Sequence, residues 1–127
     1  MDPARSLRFY VDTLGFKVEY DRPETGFTFL SFQGAQLMIS RRNGDWETGP
    51  LEYPLGRGIN FEIGVADIEP LLTALSSGGY PLMLAPFESW YRTAVGEKGQ
   101  REFLVTDPDG YLLRFAQALE GRSPFSQ

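Results

Sequence analysis

One pattern occurs twice along this chain, and that repetition constrains the fold more than any other feature. Asp2 and Pro3 open an apolar stripe at helical spacing (Leu7, Tyr10, Val11, Leu14), which Gly15 stops. Phe16-Lys17-Val18-Glu19-Tyr20 then alternates as a half-buried strand, and after turn residues 21–26 a hairpin runs from Phe27 to Phe32 and Leu37 to Ser40 across Gln33-Gly34-Ala35. The pattern returns about 64 to 65 residues later. Asp67 opens a second helix with the stripe Ile68, Leu71, Leu72 and Leu75, and Gly78-Gly79 ends it. Tyr80 to Leu84 reads as a strand, and the last hairpin joins Arg101–Thr106 to Tyr111–Ala116 through Asp107-Pro108-Asp109-Gly110, where proline presets one backbone angle and glycine permits a positive one. Matching Gly34 to Gly110 aligns the two hairpin turns. The second copy also has a strand, Ile59 to Ile63, before its helix, giving a βαβββ order. The first copy starts at its helix cap, so either a leading strand has been lost or the natural chain begins upstream of Met1.

Two stretches fall outside the repeat. Arg41 to Arg57 contains Asn43-Gly44, Gly49-Pro50, Pro54 and Gly56 and reads as a long connection, of a length that is often functional in a small domain. Pro86 to Gly99 reads as a second irregular stretch, and the polar tail after Leu119 is expected to fray. The expected organisation is one domain over residues 1–127, with a first module of about 1–45, a connection of about 46–57 and a second module of about 58–119.

Composition removes much of the usual chemistry. The chain has no histidine and no cysteine, so Ser-His-Asp and Cys-His catalysis, disulfides and cysteine zinc sites are excluded. A formal charge of −5 gives no long-range attraction toward nucleic acid or an anionic membrane. No apolar run approaches the ~20 residues of a membrane span and the start lacks a signal-peptide pattern, so the expected location is cytoplasmic.

Phe9-Tyr10-Val11-Asp12-Thr13-Leu14-Gly15-Phe16 resembles the FYxDxLGF signature of the vicinal oxygen chelate superfamily, which includes glyoxalase I, extradiol dioxygenases and bleomycin resistance proteins. The segment from Arg101-Glu102-Phe103 through Asp107-Pro108-Asp109-Gly110 to Leu112-Leu113-Arg114 is similar to the ending of the bleomycin resistance branch. The resemblance implies an α+β fold of tandem βαβββ modules, here without the first leading strand. Their curved mixed sheets would enclose a ligand cavity, usually in a homodimer. Catalytic members bind a divalent metal through His, Glu or Gln at four strand positions. One falls in the missing strand, and the others map near Met38, near Gly58 and at Arg114, none of which suits a divalent cation. A register shift at Gly58 would bring in Asn60 or Glu62, still a poor set for a hard ion. The expectation is therefore no metal and no cofactor.

Strand alternation puts Asn60, Glu62, Leu112 and Arg114 opposite the apolar face, leaving Ile59, Phe61, Ile63, Leu113 and Phe115 for the core. Arg114 calls for a partner, either Glu62 or Glu102, in an ion pair that fixes strand packing, or else it offers its donors to a ligand. Trp46, Trp90 and Tyr91 lie in the irregular stretches, where the resemblance implies that aromatics line a groove at the dimer interface; Phe29 and Phe32 are assigned to the core. The expected ligand-binding set is Trp90, Tyr91, Arg114, Glu62, Asn60, Met38 and Trp46, in a non-catalytic, homodimeric protein that sequesters an aromatic or cationic small molecule. The alternative is a glyoxalase- or dioxygenase-like metalloenzyme.

Overall fold

The computed structural model describes residues 2–122, with the side chains of 121 and 122 left aside. The chain begins with α1 (Pro3–Leu7), whose first turn is capped by Asp2 Oδ1 accepting from the Ala4 amide at 3.0 Å. It continues as a π-helical segment over Arg8–Thr13, with Leu14 N donating to Phe9 O. The wider turn lets adjacent Phe9 and Tyr10 both reach the core, which a 3.6-residue stripe does not predict.

β1 (Lys17–Arg22), β2 (Phe27–Phe32) and β3 (Ala35–Ser40) form a three-stranded antiparallel sheet in that order. After the connection come β4 (Asn60–Val65), α2 (Glu69–Gly78), β5 (Leu84–Thr93), β6 (Gly96–Thr106) and β7 (Leu112–Arg122). These strands form a second sheet in the order β4-β7-β6-β5, with β4 parallel to β7 and the other pairs antiparallel. The α+β class and the βαβββ order of the second unit agree with the sequence reading. The two sheets are separate and open, and each offers one face to a shared core. That core joins Phe9, Tyr10, Phe16 and Leu30 to Ile63, Leu75, Phe103, Val105, Leu113 and Phe115.

Five local expectations are corrected. Residues 80–83 are not strand, and Pro86–Gly99 is not irregular: Leu84–Thr93 and Gly96–Thr106 make a hairpin that turns at Ala94-Val95, and cross-strand pairing with β6 overrides the local proline and glycine signals. The strand after Leu119 continues to Arg122 because it pairs with β6; the rest of the tail expected to fray lies outside the described residues. Phe29 is not in the core. Alternation along β2 buries Thr28 and Leu30 and leaves Phe29 on the open face, and a β-bulge between Val18 and Tyr20 brings Tyr20 to that face opposite it, where the rings stack 5.2 Å apart. Phe32 does reach the core, stacked on Phe16 at 4.8 Å. At the start of β4, Ile59 and Phe61 remain exposed while Ile63 is buried, because no strand among the described residues covers that edge.

The turn Asp107–Gly110 binds the two halves together. Arg5 donates to Pro108 O at 3.1 Å, the Leu55 amide donates to Asp109 O at 2.9 Å, and Gly110 adopts φ +93°. A Cβ at Gly110 would lie 2.4 Å from Pro54 Cβ. Gly110→Ala therefore combines a left-handed backbone penalty with overpacking against the connection, and should cost about 3 kcal/mol in urea denaturation. A loss below about 1 kcal/mol would show that the connection simply moves aside.

Candidate functional site

The open face of the second sheet carries a continuous polar network. Directly paired residues share a face, so the register aligns Glu62 of β4 with Arg114 of β7 and Leu104 of β6, and sets Glu102 and Gln100 beside them. Arg114 Nη2 lies 3.2 Å from Glu62 Oε1, and Arg114 Nε lies 3.6 Å from Glu102 Oε1. Gln100 Nε2 donates to Glu62 Oε1 at 2.9 Å and also to Glu102 Oε2, while Gln100 Oε1 accepts from the Tyr91 hydroxyl at 3.0 Å. Glu102 is only 3% exposed, an expensive place for a carboxylate without such partners. Arg114 Nε is buried with no hydrogen bond of its own, so Glu102 answers it by charge at a distance. The Gln100 hydrogen bond, and after it Arg114, hold the Glu62 carboxyl below the usual carboxylate range.

The seven residues selected from sequence separate into two groups. Glu62 and Arg114 pair directly, Tyr91 joins them through Gln100, and Asn60 lies on the same face of β4, opposite Leu112. Trp90 does not join them. As the neighbour of Tyr91 in a strand it points to the other face, where its ring covers Gly99 and its indole N–H donates to Glu88 at 3.3 Å. Met38 belongs to the other sheet, and Trp46 projects from the connection at 99% exposure. Both possible partners of Arg114 are engaged. Gln100 escaped the sequence reading because its strand was taken to begin at Arg101.

A second polar cluster lies between the halves. The Tyr10 hydroxyl donates to Asp107 Oδ2 at 2.7 Å, and Asp107 Oδ1 accepts from the Asp109 and Tyr111 amides at 2.9 and 3.0 Å. Both side chains line a cavity of about 350 Å³ bounded by residues 37–40, Leu51, Leu55, Phe61 and Leu113. Burial, opposed in part by the Tyr10 hydrogen bond, raises the Asp107 pKa; burial and then the Asp107 charge raise that of Tyr10. Sequence offered no cue to this pair, whose members stand 97 positions apart. A wider cavity of about 710 Å³ adjoins it on the open side of the first sheet, between Met38, Trp46 and Tyr111. That side also carries an aromatic ladder, with Tyr20 on Phe29 and the Arg22 guanidinium 4.0 Å from the Phe27 ring centroid.

Fold and site together describe an α+β protein of repeated helix–hairpin units with polar and aromatic open faces. The glyoxalase/bleomycin resistance protein/dioxygenase superfamily model matches residues 1–115, and the chain belongs to that superfamily. Among solved structures, it is 38% identical to a superfamily member from Vibrio splendidus 12B01, covering 93% of this chain and 91% of that one with a TM-score of 0.45. TioX from Micromonospora sp. ML1 is 20% identical over 93% and 91% of the two chains, with a TM-score of 0.70. A glyoxalase/bleomycin resistance protein/dioxygenase from Alicyclobacillus acidocaldarius is 24% identical over 94% and 85%, with a TM-score of 0.63. The last two show a shared fold. No curated protein matches the sequence.

The metal of the family's catalytic members finds no suitable donors at the three mapped positions. Met38 offers a thioether on an exposed side chain, Gly58 offers none, and Arg114 is a cation held between two carboxylates. Among the described residues no three Asp, Glu, His or Cys side chains gather as a metal-holding group. No helix among them is long and apolar enough to cross a membrane.

Arg114→Met strands the buried Glu102 charge. It should cost about 2–3 kcal/mol, below the ~3–5 kcal/mol of a fully buried pair because Arg114 is one-third exposed. Glu62→Gln should cost less than about 1 kcal/mol at neutral pH. Because folding lowers the Glu62 pKa, its contribution is fully present above the unfolded value and is lost as pH falls through the folded one. Asp107 has the opposite sign: its raised pKa means that stability declines as pH rises through the carboxylate range, and Asp107→Asn should flatten that slope. Denaturant melts of the three variants from pH 3 to 8 check all of these expectations.

Proposed function

We propose that this protein binds a small planar cation on the open face of its four-stranded sheet and releases it unchanged. The observation that carries this reading is the Gln100-centred network. Glu62 and Glu102 bring two carboxylates against one guanidinium, leaving a surplus of negative charge, and Tyr91 adds a phenol edge. The network favours holding over reacting. A carboxylate kept below its usual range by two partners is a weak general base at neutral pH, and the thiol nucleophile and imidazole base that many enzymes use are absent from the sequence. The superfamily includes resistance proteins by name, and sequestration requires affinity and abundance without turnover.

The face is open, so a tight site needs a second wall. In a homodimer, the aromatic ladder of Tyr20, Phe27 and Phe29 on a second copy supplies a stacking surface of suitable chemistry. Asn60 and Leu112 then border the ligand, and Met38 flanks the ladder opposite Phe29.

Titration calorimetry with bleomycin, a cationic ligand with flat heteroaromatic rings, tests the reading. Micromolar binding that weakens at least tenfold in Glu62→Gln and in Tyr91→Ala, with the ligand recovered intact, is the expected result. The absence of heat at millimolar ligand, or recovery of a chemically altered ligand, overturns it. Sedimentation tests the second wall separately: the wild-type protein should be dimeric, and Tyr20→Lys should shift it toward monomer while preserving its circular dichroism.

A further inference from the structure

Arginines gather at one end of the first sheet, against the charge of the chain as a whole. The 710 Å³ cavity on the open side of that sheet is bordered by Arg22 of β1, by Arg41 and Arg42 where the connection begins, and by the carboxylates of Asp45 and Glu47. Glu47 already accepts from Arg42, at 2.9 Å from Nη2 and 3.3 Å from Nε. The guanidiniums of Arg22 and Arg41 make no hydrogen bond or ion pair with any described residue. Set against Asp45 alone, they leave a local surplus of positive charge on a chain whose formal charge is −5.

Unpaired arginines on a surface are ordinary, but these two are held in place. The Arg22 guanidinium lies 4.0 Å from the Phe27 ring centroid. Arg41 rests on the residue before Phe27: its amide donates to Gly26 O at 2.9 Å, and its Cζ lies 3.2 Å from where a Cβ at Gly26 would stand. Both guanidiniums are therefore anchored on consecutive residues beside one cavity. The connection adds an aromatic ring to it. Trp46 stands in water at φ +62°, an uncommon conformation for a large side chain, and the turn that carries it is braced. The Gly44 amide donates to Glu47 Oε2 at 3.1 Å, the Asp45 amide donates to Asn43 Oδ1 at 2.9 Å, and the Arg42–Glu47 pair closes the base.

We propose a second binding site here, for a small aromatic carboxylate whose charged group is taken by Arg22 and Arg41 and whose ring stacks on Trp46. A guanidinium presents paired donors that match a carboxylate, and two of them with no competing partner match it better than a lone surface cation. The ring of the ligand gives the indole the apolar cover that the chain itself does not supply. The cavity falls within the ~300–1,000 Å³ usual for small-molecule sites. Its cationic groups come from β1 and the connection, so the outer edge of β3 plays no part. It carries the opposite charge to the Glu62, Glu102 and Arg114 face and does not depend on the cation proposed there.

Titration of the whole protein with 2-naphthoate, followed by proton–nitrogen NMR, provides the test. The expected result is saturable binding with a dissociation constant below ~1 mM, in which the Trp46 indole N–H resonance moves and that of Trp90 stays. The neutral isostere 2-naphthamide should bind at least tenfold more weakly, a control that leaves the protein itself intact. Arg22→Gln and Arg41→Gln should each weaken 2-naphthoate at least fivefold, while Glu62→Gln should leave its affinity unchanged. An unmoved Trp46 resonance at ten-millimolar ligand overturns the proposal. So does equal affinity for the amide and the acid, or undiminished affinity in both arginine variants. A loss of 2-naphthoate binding in Glu62→Gln would put the ligand on the polar face and overturn the second site, whereas failure of bleomycin binding leaves this site untouched.

Discussion

The carboxylate of Asp107 is the point on which the two halves of this molecule depend. It accepts the Tyr10 hydroxyl from the first helix and two amides of its own turn. Arg5 of the same helix and the Leu55 amide of the connection close on the same turn. A buried acceptor with three donors is costly to replace, because every donor then loses its partner in a place water does not readily reach. The shared core supplies most of the burial, but apolar contact alone is non-directional. The Asp107 cluster gives that core a fixed orientation, and with it the relative placement of the open faces.

From this arrangement follows a division of labour between sheet faces. Inward faces carry phenylalanine, leucine, isoleucine and valine and hold the halves together. Outward faces differ: the four-stranded sheet is polar and ion-paired, and the three-stranded sheet is aromatic with an arginine above its rings. A ligand meeting these surfaces encounters charge from one and stacking from the other. Superfamily membership is shared by enzymes and binding proteins, so the fold does not choose between them.

How much was legible in the sequence depended on whether the relevant contact was periodic. Glu62 and Arg114 could be put on one face because strand alternation has a period of two and both strands were correctly placed. The helix stops and the hairpin turns were marked by Gly15, Gly34, Gly79 and Gly110, each at positive φ in the structure. Gln100 was lost because Gly96, Gly99 and Pro86 gave local loop signals that tertiary pairing overrode. Tyr20 was assigned to the wrong face because a bulge inverts the alternation, and a bulge leaves no mark in residue spacing. The Tyr10–Asp107 bond was invisible for a different reason: nothing local connects residues that far apart.

The placement of the two tryptophans has a spectroscopic consequence. Trp46 stands almost wholly in water, whereas Trp90 lies flat against Gly99 on the side of β5 that faces away from the polar network. Their emission should therefore divide into a red, readily quenched component and a bluer, sheltered one. Trp90 points to the face opposite Gln100 and Trp46 projects from the connection, so occupancy of the polar face should leave their emission little changed unless the ligand itself absorbs. A steady tryptophan signal during a titration would thus be the same for an empty and an occupied polar face, whereas a changing one would point to a ligand near Trp46 or Trp90.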